Sequence, residues 1–188
     1  MILEQLRETT QEAHQELEKA MMPLINNARD AESYGKLLRT FYSFYHPLEK
    51  GIQQHLYPDA LPDYHERRKT SWILDDLKAL GLDDTPPPSA FAAPVITTNA
   101  QAFGALYVME GSTLGGKIIC KTIAGNLGRE EKDGFRFFYG YGPEAGSRWK
   151  FFLAQLDKFS NTPHEEETVE MADDVFKQFR VWMNVEYS

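Results

Sequence analysis

Apolar residues recur every three to four positions along most of the chain, the spacing of one buried helix face. Leu3, Leu6, Thr10, Ala13, Leu17 and Met21 share one stripe and predict an opening helix that ends near Pro23. Tyr34 to Leu56 forms a second helical pattern, with Pro47 inside it as an expected kink. A third runs from Tyr64 to Leu80, with Gly81 as its C-terminal stop. Ala100 to Leu127 is long, capped by Thr98 or Asn99 and stopped by Gly128. Ser147 to Phe159 and Glu165 to Tyr187 complete the set. Val/Ile/Thr alternation is scarce, and only Phe135 to Tyr141 (FRFFYGY) could pass for a strand. The pattern predicts an all-α fold of six or more helices. Thr85 to Pro94 (TPPPSAFAAP) reads as a stiff loop, since three prolines forbid a helix through it. Neither half looks self-sufficient, so residues 1–188 are expected to form a single domain.

Composition narrows the function classes. At 188 residues, 42% hydrophobic and 26% charged, the chain has the profile of an ordinary globular protein with enough core to need no disulfide. A net charge of -8 argues against a nucleic-acid grip or an anionic membrane surface, because phosphate binding wants a basic face. One cysteine, Cys120, can make neither an internal disulfide nor a multi-cysteine metal site, so a reducing compartment is expected. The first residues are charged and lack an apolar signal region, and no apolar run approaches a membrane span. A cytoplasmic protein is the expectation. The 12 Phe, 9 Tyr and 3 Trp suit a protein that stacks on something flat, though aromatic cores are commoner.

Two segments carry candidate chemistry. On the opening helix, His14 sits at the edge of the apolar stripe, with Arg7 about 20° away two turns earlier and Glu18 about 40° away one turn later. Glu18 can accept a proton from one imidazole nitrogen and leave the other as a lone-pair donor, as metal-binding histidines require. Arg7 lies about 10.5 Å up the same edge. A metal ligand with a cation at that separation suits a metal macrocycle bearing carboxylates. A packed histidine in a routine i,i+4 pair is the plainer alternative. His46, His55, His65 and His164 show no shared metal spacing and read as surface or structural.

The second segment is Phe103 to Ile119, FGALYVMEGSTLGGKII. Gly111 to Lys117 matches G-x-x-x-x-G-K of a phosphate loop. However, Ile118 stands where Ser or Thr should hold Mg²⁺, and no strand precedes it. As a helix, the segment places Gly104, Gly111 and Gly115 within about 40° of one another, with Gly116 next round. Four helical glycines cost about 3–4 kcal/mol relative to alanine. Either close helix packing or backbone approach to a flat ligand must need the missing side chains.

Together these segments resemble the heme oxygenase family, and the resemblance covers essentially the whole chain. It rests on Thr10 to His14 (TQEAH), Phe41 to Glu49 (FYSFYHPLE), Arg67 to Leu77 (RRKTSWILDDL), Leu106 to Gly116 (LYVMEGSTLGG) and Phe135 to Tyr139 (FRFFY). It lies closest to the bacterial, biliverdin-producing members. It implies heme held between the first helix and a glycine-rich distal helix, as both cofactor and substrate. His14 becomes the proximal iron ligand and Glu18 its hydrogen-bond partner. Gly111, Ser112, Gly115 and Gly116 fall on the distal helix, and Tyr45 matches a distal-side tyrosine. Arg7, Tyr107 and Lys150 fall at propionate positions, Thr10 belongs to the heme-binding set, and Phe176 is a heme-edge aromatic. Many relatives carry an aspartate where this chain has Ser112. The implied reaction uses O2 and external electrons to open heme to biliverdin, carbon monoxide and ferrous iron. Ferredoxin, flavodoxin or a reductase is the implied donor, and a phytochrome is one acceptor for the biliverdin. The Ser112 departure motivates a second reading, heme binding or storage on the same scaffold without ring opening.

Overall fold

The structure is a computed structural model that describes residues 1–87 and 93–187. Among these residues it contains seven α-helices and no strand: α1 Ile2–Asn27, α2 Ala31–His55, α3 Ser71–Ala79, α4 Asn99–Leu127, α5 Arg136–Tyr139, α6 Ala145–Leu156 and α7 Glu165–Glu186. α7 packs along both α1 and α4, α2 crosses α4, and α5 and α6 also lie against α4. Phe41, Phe44 and Tyr45 of α2 meet Phe137 of α5 and Phe179 of α7 in one aromatic core. Within it the Phe44 and Phe179 rings stack at 4.4 Å.

Helix ends follow local chemistry. Asp30 caps α2 by accepting from the Ser33 amide at 2.8 Å, and Thr98 caps α4 by accepting from the Gln101 amide at 3.1 Å. Gly81 and Gly128 follow α3 and α4 in the left-handed conformation, φ +73° and +63°, which a side chain would strain.

Three expectations change. α1 continues through Pro23 to Asn27, because Ile25 is buried and packing on that face offsets the one backbone bond that proline removes. Its buried stripe runs from Ile2 to Ile25, while Leu3 and Met21 are only half-buried. α2 holds Pro47 within one helix, as the pattern predicts. The segment from Tyr64 to Leu80 is not one helix but a short 3₁₀ turn, Tyr64–Glu66, and then α3. Residues 67–70 leave the helix at Arg67, whose backbone is extended, and Arg67, Arg68 and Thr70 are all buried, each with a different partner. Finally, FRFFYGY is helical at α5. Among the described residues there is no strand for it to pair with, and the Asp76 carboxylate accepts from the Arg136 and Phe137 amides at 2.7 and 2.8 Å. Residues 88–92 of the proline-rich stretch lie outside the described residues.

Candidate functional site

A cavity of about 450 Å³ opens between α1, α4 and α7. Its volume lies in the range of small-molecule sites. α1 contributes Arg7, His14, Leu17, Glu18 and Met21, and α4 contributes Tyr107, Gly111, Ser112, Leu114, Gly115 and Ile119. Phe41, Tyr45, Phe138, Trp149, Phe176 and Phe179 supply an aromatic lining. A more open recess of about 480 Å³ shares Arg7, His14, Glu18 and Tyr107 and adds Thr10.

Helix register places the α1 residues. Leu6, Thr10, Ala13 and Leu17 are buried, so Arg7, His14 and Glu18 emerge beside that stripe. His14 Nε2 lies 3.3 Å from Glu18 Oε1, and both side chains are about half exposed, at 51% and 57%. The Phe176 ring stands 4.9 Å from the imidazole, tilted by 35°, and fixes one face of it. Tyr107 is hydrogen-bonded with Thr10 and lies near Arg7, while burial pushes its hydroxyl pKa up.

Four of the five α4 glycines divide into two pairs. A side chain at Gly104 would strike the Thr168 carbonyl of α7, and one at Gly116 would strike the Phe138 carbonyl. Those two permit close packing. Nothing lies within 4 Å of a β-carbon built at Gly115, and at Gly111 only the Trp149 ring does, 3.5 Å away. Those two leave bare backbone along the cavity. Both physical reasons for helical glycine therefore operate in one helix, two residues each.

Two of the expected residues lie outside both linings. Gly116 is turned to the Phe138 backbone and does not line the cavity. Lys150 is exposed on α6 and outside the lining, because the preceding residue, Trp149, takes the inward position about 100° round the helix. The other expected residues, Arg7, Thr10, His14, Glu18, Tyr45, Tyr107, Gly111, Ser112, Gly115 and Phe176, all line one or both recesses.

Sequence reasoning gave no role to the polar cluster behind Ser112. Ser112 Oγ donates to the Met109 carbonyl at 2.7 Å and accepts from Arg68 Nη2 at 2.6 Å. Tyr45, fully enclosed, is hydrogen-bonded with Ser112, and burial pushes its hydroxyl pKa up despite the nearby Arg68 cation. Arg68 also lies over the Phe137 ring, 4.3 Å from its centre. The pair Arg67-Arg68 was visible, but reading it as helix hid that the two side chains part. Among the described residues no group of three His, Cys, Asp or Glu could hold a metal ion.

The site fits a flat macrocycle carrying iron and carboxylates. It offers a histidine with a carboxylate partner, a bare helix wall, aromatic packing, and a cation with a hydroxyl pair at the rim. Comparisons with known proteins agree. A family model, "Heme oxygenase", matches residues 1–185. A "Heme oxygenase" of Xanthomonas campestris is 26% identical over 132 residues, covering 69% of this chain and 74% of that protein. "Heme oxygenase PigA" of Pseudomonas aeruginosa is 29% identical over 176 residues, covering 90% and 85%. The solved structure of NO- and CO-bound heme oxygenase from Neisseria meningitidis superposes with a TM-score of 0.79. It is 23% identical and covers all of this chain and 92% of that one, a likeness of fold.

Proposed function

The chain belongs to the heme oxygenase family, and on that premise we propose that one domain binds heme between α1 and α4 and opens its ring. Heme is the substrate. Once bound it supplies the redox chemistry, in which O2 and external electrons convert its ring to biliverdin with release of carbon monoxide and ferrous iron. The observation that carries this reading is a single cavity with His14 on one wall and the bare backbone of Gly111 and Gly115 on another.

Each residue has a definite task. Glu18 accepts a hydrogen bond from one N–H of His14, which leaves the other nitrogen to ligate iron. Phe176 keeps the imidazole from turning away. Arg7 and the Tyr107–Thr10 pair meet the propionate edge and set how the ring lies in its plane. Gly111 and Gly115 let the α4 backbone approach the ring face and leave room for a small ligand. Tyr45, its pKa raised by burial, keeps its proton at neutral pH and holds Ser112 in place. The apolar lining excludes bulk water, which strengthens each of these polar contacts.

An external reductant supplies the electrons, and a ferredoxin, a flavodoxin or a dedicated reductase suits the role. A phytochrome is a fitting acceptor for the biliverdin. Among the described residues no helix is long and apolar enough to cross a membrane. Burial pushes the Cys120 thiol up to about 12, so it stays a thiol, which suits a cytoplasmic setting.

His14→Ala tests the assignment. The variant should keep the far-UV circular dichroism of the wild type and lose the histidine-ligated Soret band. Turnover should fall at least about a hundredfold. Added imidazole should restore part of the spectrum. A wild-type spectrum and wild-type biliverdin yield would remove His14 from the iron.

A further inference from the structure

Two neighbouring arginines are buried beside the cavity, and only one is neutralised. Arg67 has no exposed side-chain surface, and carboxylates surround it. Its Nε and Nη2 donate to Asp63 at 2.9 and 3.0 Å, and its Nη1 donates to Glu110 at 2.5 Å. Arg68 is 6% exposed, yet among the described residues its partners are the Met109 carbonyl, the Ser112 hydroxyl and the face of Phe137. None of these carries a negative charge. A buried cation without a counter-charge is unfavourable. The fold nonetheless holds it firmly, since the Arg68 amide donates to Tyr141 Oη at 2.8 Å and Tyr141 is hydrogen-bonded to Glu110 at 3.0 Å.

Arg68 lines the cavity on the α4 side, next to Gly111, Ser112 and Gly115. Among the described residues both of its side-chain hydrogen bonds are made by Nη2, and none is made by Nη1 or Nε. The other charged side chains lining the cavity, Arg7 and Glu18, stand on α1 with His14. The α4 side therefore carries one fixed positive charge and no lining carboxylate.

We propose that Arg68 is an anion-recognition residue, which supplies the counter-charge for an anionic ligand held at the heme iron on the α4 side. The proposal rests on the heme reading above. It gives Ser112 a definite part as well: its single proton goes to the Met109 carbonyl while its oxygen accepts from Arg68, so the hydroxyl positions the guanidinium. A fixed cation favours charged ligands over neutral ones of similar size, which separates this role from simple support of the cavity.

The test uses hemin-loaded wild-type protein, Arg68→Met, Arg68→Gln and Arg68→Lys. Azide and fluoride are titrated into the ferric form and carbon monoxide into the ferrous form, followed by the visible spectrum. Met and Gln should each weaken azide binding about tenfold or more, the effect of ~1.4 kcal/mol. Carbon monoxide affinity should stay within about threefold of wild type, well under that tenfold step. Lys should keep most of the azide affinity. Gln retains hydrogen-bonding capacity without charge and serves if Met does not fold. Unchanged azide affinity in a hemin-loaded Met or Gln variant would overturn the proposal, as would equal losses for azide and carbon monoxide. A wild type that leaves the Soret band of free hemin unshifted would instead overturn the heme reading on which the proposal depends.

Discussion

Asp76 shows how one buried carboxylate can hold part of the site. It is 2% exposed, and burial raises its pKa from 3.8 to about 6 despite the two backbone amides it accepts. Those amides start α5, which places Phe138 in the cavity and Phe137 beneath Arg68. The raised pKa means that the folded state binds a proton more tightly than the unfolded state does. Between about pH 4 and pH 6 folding therefore takes up a proton, and the stability this group contributes falls as pH rises through that window. A shift from 3.8 to about 6 corresponds to about 3 kcal/mol. Asp76→Asn should flatten the decline, read from urea unfolding midpoints at pH 4, 5 and 6. An unchanged slope would mean that Asp76 is ionised throughout. Legibility at this scale depended on the local backbone. His14, Glu18 and Arg7 could be placed because α1 is regular and a wheel applies. Arg68 could not, because its position depends on extended backbone and on Tyr141, 73 residues away. Trp149 and Lys150 differ by one residue, and resemblance alone does not fix which of two neighbours points inward.

At the scale of elements, α4 serves packing and ligand approach in one helix, and its glycines can be separated by experiment. Gly115→Ala meets nothing within 4 Å, so it should be neutral or stabilise by up to about 1 kcal/mol, the helix preference for alanine. Gly104→Ala and Gly116→Ala each push a methyl into a neighbouring carbonyl and should destabilise by about 1–3 kcal/mol or more. Gly115→Leu should fold as well but block carbon monoxide and dioxygen at the iron. Thermal unfolding of the four variants, with carbon monoxide binding for the last, checks the set. Equal destabilisation by Gly115→Ala and Gly116→Ala would contradict the division. Periodicity located α2, α4, α6 and α7 well because each buries a continuous stripe. It failed at residues 67–70, where buried charged groups mimic a helical face, and at α5, where four residues are too few to show a period.

For the whole molecule, the arrangement brings distant segments to one cavity: His14 from the first helix, Gly115 from the fourth and Phe176 from the last. α7 packs against both α1 and α4, so the cavity walls share a common support. The all-α class was legible because amphipathic helices can bury their stripes only against one another. The cavity itself was not, since no local pattern reports the gap between two helices, and the family resemblance supplied that expectation. The most direct measurement adds one equivalent of hemin to purified protein, records the visible spectrum, and then adds a reductant in air with catalase present. A sharp Soret band that decays into a broad red-absorbing biliverdin band is the expected result. A Soret band that persists unchanged would contradict ring opening, and no shift of the Soret band from that of free hemin would contradict heme binding in this cavity.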